Sequence, residues 1–336
     1  ILSYAKIDVY NSLVASDQSL EDFLETHPMR YFPEVLRRRY ADFLPMHRLS
    51  PQILATLIAN DIVNRMGPAF VRRVQLDTGA TVCTIARAYT VARQICRAGA
   101  LNRTIQSLDY EIPASIQMQL LLEVARTQGH ATYWLIEQFG ETIQIAPTVE
   151  RLADGVNTVY TRTSGVQSTA SRARHHAAVE RYKEMGVSDV LAEKMAALLL
   201  TRAALDISDL AARFKRDTVE TARLYSAFNE NLGIFWLHVC AEELEVTDRW
   251  QAMARGNLRN ELYQIRRELA IQLLKKRSKK PMPELVDHWL AQRSSRVARV
   301  KSMIEEMKLR GDPDFATLFV AAQELRDLLD DPAARK

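Results

Sequence analysis

Apolar positions recur along this chain at three- and four-residue spacing almost without pause, the pattern of helices that each bury one face. The clearest case runs over residues 50–74. Ser50 suits a helix cap, Pro51 the first helical position and Gly67-Pro68 the end. Between them Leu54, Ile58, Ile62 and Met66, with Ala55, Ala59 and Val63, cover more than half of the circumference, and Ile53 and Leu57 extend that cover. A helix apolar nearly all round is expected to be buried. Only Asn60, Asp61, Asn64 and Arg65 interrupt it. Asn60 and Asn64, one turn apart, are expected to hydrogen-bond this helix to its neighbours, because buried amides need partners. A ligand or subunit contact is the sharper alternative.

The same periodicity assigns the rest. The chain opens already in helical register (Leu2, Ala5, Val9, Leu13), without Met and without a cap, which reads as a cut through a helix of a longer polypeptide. Leu36, Tyr40, Phe43 and Leu44 mark a helix whose other side bears Arg37, Arg38 and Arg39, a solvated face. Residues 81–105 form a long segment that Gly99 interrupts or ends. Pro113 starts one long helix through residue 139, tolerating Gly129 at a cost of about 1 kcal/mol relative to Ala. Its Trp and Tyr belong to the core. Residues 140–147 are a pause, where TIQIA has the alternation of a short extended piece without a partner strand; helix resumes over 149–160 and a turn or loop follows over 161–169.

Residues 171–185 are helical again, Gly186 stops them, and Ser188 caps SDVLAEKMAALLLTRAAL. Residues 206–214 form a short helix, and Asp217 with Glu220 makes a capping-box pattern before a helix that Gly233 closes. After residues 234–244, Thr247 opens the longest helix, with Trp250, Ala254, Leu258, Leu262, Ile265, Leu269 and Leu273 in one stripe. It ends in KKRSKK, followed by Pro281 and Pro283, a boundary by composition. Residues 285–307 and 315–329 then make an αα-hairpin around Gly311-Asp312-Pro313. With no sustained alternation and no solenoid repeat, the fold is expected to be all-α. Residues 1–280 form a multi-helix globular domain, with a sub-boundary in the 140–170 stretch, and residues 281–336 the C-terminal hairpin.

Composition narrows the chemistry. The 336 residues are 47% hydrophobic and 26% charged, an ordinary globular balance, and 45 Lys+Arg against 41 Asp+Glu leave a net charge of only +4. That excess does not call for nucleic acid. Three scattered cysteines make neither a disulfide framework nor a zinc site and point to a reducing, cytoplasmic setting. No run approaches the roughly 18 apolar residues of a membrane span, and no signal-peptide pattern opens the chain. The eleven glycines are never two apart, so there is no G-x-G cofactor fingerprint, and none precedes the lysine of a P-loop. The seven histidines include no i, i+4 pair, and His175 and His176 point to different helix faces, so no metal site is assigned. His238 and Cys240 diverge on a helix, and no G-x-S-x-G is present. An active site carried wholly by this segment is therefore not expected. Residues 207–228 have the outline of a helix-turn-helix, with Arg213, Lys215, Arg216 and Arg223 nearby. The turn lacks a glycine, however, and acidic Asp217 and Glu220 open the second helix, the wrong sign for phosphates.

ILATLIANDIVNRMGPAFVRRV, with LSYAKIDVY before it, YFPEVLRRRYADFLPMHRLS leading in and VTDRWQAMARGNLRNEL downstream, resembles the C-terminal helical region of the large bacterial NAD-specific glutamate dehydrogenases. The resemblance extends from residue 1 to about residue 274; the final hairpin is less distinctive. It implies a parent enzyme that converts L-glutamate, NAD and water to 2-oxoglutarate, ammonia and NADH, and that is a homo-oligomer. The family's cofactor-binding glycines and catalytic lysine match no position here, so no catalytic, cofactor-binding or metal residue is carried over, and NAD belongs to the parent. The expected partner is the upstream catalytic domain of the same polypeptide, with neither nucleic acid nor membrane. Asn60, Asn64 and Arg65, and Asp248, Arg249 and Trp250 in the downstream segment, are the candidates for a structural or interface role. The leading expectation is a non-catalytic module that scaffolds, oligomerises or transmits regulation. The alternatives are an independent helical protein-interaction adaptor and, behind it, a helix-turn-helix nucleic-acid binder.

Overall fold

A computed structural model of the protein describes residues 1–16, 20–23, 32–40, 42–43, 46–162, 167–276 and 282–329. Its elements are helices throughout, with no strand among the described residues. They are α1 (Leu2–Val14), α2 (Glu34–Arg39), α3 (Ser50–Met66), α4 (Phe70–Thr78), α5 (Val82–Ile95), α6 (Ala98–Gln106), α7 (Ala114–Phe139), α8 (Ile145–Thr161) and α9 (Thr169–Glu184). There follow α10 (Asp189–Ala197), α11 (Thr201–Phe214), α12 (Thr218–Asn231), α13 (Ile234–Glu243), α14 (Arg249–Lys275), α15 (Met282–Ala291), α16 (Ser294–Arg310) and α17 (Phe315–Asp327). The chain divides into two compact units: residues 1–157 with 178–205, and residues 158–177 with 206–336.

In the first unit α5 is the most enclosed element. Ile85, Ala86, Ala88, Val91 and Ala92 are fully buried, and the helix packs against α1, α3, α4, α6 and α7. Thr81 caps it, its hydroxyl accepting from the Thr84 N–H. α7 runs unbroken for 26 residues, as its periodicity predicts, with Trp134 fully buried edge-on to Phe139. Gly129 faces Met66 and Phe70, where a Cβ would make ordinary contact, 3.4 Å from Met66 Cε and 3.7 Å from Phe70 Cε2. Leu101, Ile105, Leu120, Val124, Tyr182, Leu191 and Met195 form a further apolar cluster.

Several boundaries differ from the sequence expectation for local reasons. Ser50 is not the cap of α3. That position falls to Leu49, and a turn at His47 sets the start: its carbonyl accepts from Ser50 N–H at 2.8 Å and its Nδ1 from Leu49 N–H at 3.1 Å. The 81–105 segment breaks at Arg97, which adopts φ 51, so that Gly99 lies inside α6. The TIQIA stretch is not extended; after a 3₁₀ turn over Gly140–Thr142, α8 already begins at Ile145. A 3₁₀ turn, Leu198–Leu200, divides SDVLAEKMAALLLTRAAL, and α11 continues through residues 206–214 instead of leaving a separate short helix there.

The second unit is organised on α14, the longest helix at 27 residues, whose Leu258, Leu262, Ile265, Leu269, Ala270 and Leu273 are buried. α12, α13 and α17 pack against it, α15 packs on α12, and α16 on α17. Buried Trp289 of α15 meets Phe228 of α12 edge-on at 5.6 Å. This unit takes in residues on both sides of 280/281, and α15, α16 and α17 follow α14 in it. The break between α15 and α16 falls at Arg293, buried because its guanidinium stacks on Trp289 at 4.3 Å and donates to the Leu328 carbonyl. The basic run at 277–280 lies outside the described residues.

Candidate interface surfaces and buried ion networks

The polar interruption of α3 is an ion network centred on Asp61, the one member of the quartet that the sequence reading passed over. Arg65 Nε lies 2.7 Å from its Oδ1, one turn along the same helix. Across the helix interface, Tyr89 of α5 donates its hydroxyl to Oδ2 at 2.9 Å, and Arg93 Nε stands 3.5 Å from the same oxygen. Burial pushes the Asp61 carboxyl up, but the Arg93 charge and the Arg65 hydrogen bond outweigh it and hold the carboxyl below its ordinary range. Burial, then the facing Asp61 charge, pushes the Tyr89 phenol far up, so it stays a donor. Asn60 is half-buried and Asn64 exposed. The contact that ties α3 to α5 is thus made by Asp61, and the Asn64 amide is at the surface rather than in the core.

A second network lies in the second unit. Asp206 and Asp209, three residues apart on α11, present carboxylates on one helix face. Arg267 of α14 bridges them, donating through one terminal nitrogen to Asp206 Oδ1 at 2.9 Å and through the other to Asp209 Oδ2. All three are buried. The adjacent Arg266 is buried too, donates to Asn229 Oδ1 at 3.2 Å, and stacks over the rings of Tyr225 at 4.6 Å and Tyr263 at 5.3 Å. Two carboxylates and two guanidiniums thus share one apolar interior with no net formal charge. Arg267 holds its proton more firmly than usual: burial works against it, and the Asp206 charge and the Asp209 hydrogen bond prevail.

The remaining chemistry-bearing groups are quiet. Among the described residues no three His, Cys, Asp or Glu side chains stand where they could hold one metal ion. His238 stacks on Tyr263 at 4.1 Å, and burial, followed by the charge of Glu243, pushes the Cys240 thiol up to about 11, so it is protonated and a poor nucleophile at neutral pH. Asp217 caps α12 by accepting from the N–H groups of Val219 and Glu220, so a carboxylate already occupies the end of the helix that a phosphate would need. No helix is long and apolar enough to cross a membrane among the described residues.

The surface shows where contacts are free. Asp248 caps α14, accepting from Gln251 N–H at 2.8 Å, and is exposed with its neighbours. The Trp250 ring is 72% exposed, with the Arg249 guanidinium 6.0 Å from its centre. The apolar stripe predicted for α14 therefore begins to be buried at Leu258, and Trp250 is left outside it. In the first unit Tyr4 and Ile7 of α1 are exposed although α1 packs its other side against α3 and α5.

The profile of the family described as "Glutamate dehydrogenase, C-terminal" matches residues 1–327. The NAD-specific glutamate dehydrogenase of Pseudomonas aeruginosa is 30% identical over 329 residues, and that of Halomonas elongata 31% over 335, each match covering 98% of this chain and 20% of the relative. That of Mycobacterium tuberculosis is 26% identical over 327 residues, 97% of this chain and 20% of the relative. The chain thus spans about one fifth of the length of these curated relatives.

Proposed function

From the premise that this chain belongs to the glutamate dehydrogenase C-terminal family, we propose that it is the non-catalytic helical region of an NAD-dependent glutamate dehydrogenase. The polypeptide carrying it would convert L-glutamate, NAD⁺ and water to 2-oxoglutarate, ammonium, NADH and a proton. The observation that carries this reading is the match of nearly the whole chain to relatives of that printed name, of which it makes up only a fifth. The internal pairing of the buried charges supports a structural role, since Asp61, Asp206 and Asp209 each face an arginine of their own unit. In this reading the region scaffolds the catalytic part, takes part in oligomer contacts or transmits regulation. The exposed side chains of Asn64, Asp248, Arg249 and Trp250 are open to such contacts, while Asn60 and Arg65 belong to the helix that holds α5. NAD binds elsewhere in the polypeptide, and the setting is cytoplasmic.

The test is direct. The 336-residue chain, purified by itself, forms no NADH when given glutamate and NAD⁺, whereas the full-length polypeptide does. Turnover by the 336-residue chain, or none by the full-length polypeptide, would overturn the proposal.

A further inference from the structure

Exposed apolar side chains are unevenly distributed along this molecule. Of the twenty-two large apolar residues exposed among the described residues, eleven lie within the first 49 positions, so this end carries far more than its share. α1 gives the clearest geometry. Its Val9 and Leu13 are 3% and 1% exposed, on the side that meets α3 and α5. Tyr4, Ile7 and Val14 fall on the opposite side at the helical step of about 100° per residue. They are 80%, 55% and 40% exposed. The residue between them on that stripe, Asn11, is uncharged. A helix apolar on two opposed faces calls for cover on both, and the described residues cover one.

The extent of the relatives indicates what covers the other. They carry about four times as much chain again, and the matched region is their C-terminal family, so that additional chain precedes it. Ile1 stands directly before α1, and a covalently attached neighbour reaches this stripe at an effective concentration on the order of millimolar. Resting on the functional reading above, we propose that the Tyr4, Ile7 and Val14 face of α1 is the docking surface for the part of the polypeptide that precedes this region. The matching surface there is apolar and uncharged at its centre, as the core of a protein interface is.

Covalent footprinting of tyrosines in the full-length polypeptide tests this, with Tyr110, fully exposed in this structure, as the internal reference. Tyr4 should be labelled about tenfold less than Tyr110, since interface cores are packed as tightly as protein interiors. The substitution Ile7→Glu should bring Tyr4 back toward the level of Tyr110. Labelling of Tyr4 at the level of Tyr110 in the unsubstituted protein would overturn the proposal, as would protection that disappears on dilution, which would assign the face to a second copy. Glutamate-dependent NADH formation, measured on the same preparation, separates the two readings. Turnover with an unprotected Tyr4 removes the docking surface alone, and a protected Tyr4 without turnover removes the enzymatic reading alone.

Discussion

Arg267→Met is the most informative perturbation of the second unit. Methionine retains much of the apolar stem that arginine lays along a helix, so the packing loss is small and the charge is what changes. Its removal takes the cluster from two carboxylates against two guanidiniums to two against one, and Asp206 and Asp209, at 0% and 5% side-chain exposure, cannot turn to water. Breaking a buried pair from one side typically costs about 3–5 kcal/mol. For a unit of this size that lowers the melting temperature by roughly 6–20 °C, at about 2–4 °C per kcal/mol. Because two compact units need not unfold together, guanidinium unfolding should be followed together with amide exchange along α14. The midpoint should fall, and the protection of α14 fall with it. Adding Asp209→Asn should restore more than half of the loss, because it returns the cluster to one carboxylate against one guanidinium. Arg267→Lys should lie between, since a point charge does not span both carboxylates as the guanidinium fork does. Stability within about 1 kcal/mol of the unsubstituted protein for Arg267→Met, a typical surface-pair value, would refute the reasoning.

The Asp61 network predicts a pH dependence. Its carboxyl is held below the ordinary value in the folded protein, so its stabilisation is complete above the unfolded-state value of about 3.9 and is lost as pH falls through the lower folded value. Asp61→Asn should cost about 2 kcal/mol at pH 7, as a hydrogen-bonded charge does, and the difference from the unsubstituted protein should narrow below about pH 4; a gap that stays constant down to pH 2 would contradict it. Gly233, at φ +64, precedes α13, and a Cβ there would lie 2.9 Å from Ile304 Cδ1 and 3.2 Å from its Cγ2. Gly233→Ala should destabilise by about 1–3 kcal/mol from left-handed backbone strain plus overpacking. Ile304→Val in the same chain should relieve only the 2.9 Å contact with Cδ1, leaving a residual loss in the denaturant midpoint.

What the sequence disclosed and what it concealed divide along physical lines. Helix existence followed from apolar spacing, because a helix must bury a stripe wherever its partner comes from, and so α7 and α14 were legible nearly end to end. The glycine stops were legible too, since the constraint at Gly67, Gly186 or Gly233 is local to the backbone. The misses share one cause. Arg97 breaks a helix in a left-handed conformation that its residue type does not announce. Residues 206–214 read as a separate short helix, whereas α11 passes straight through Asp206 and Asp209, which Arg267, some sixty positions later, neutralises. Asp61 read as one polar interruption among four, yet it holds two helices together through Tyr89 and Arg93, 28 and 32 positions away. Arg293, within the 285–307 stretch read as one helix, marks the break between α15 and α16 and is buried over Trp289. A charged side chain becomes an interior residue only when its counterpart arrives, and a one-dimensional pattern assigns each charge to solvent by default. The converse holds at the surface. Tyr4, Ile7 and Trp250 have the apolar character of core positions and are exposed, and among the described residues α1 finds cover on its Val9 and Leu13 face and not on the opposite one.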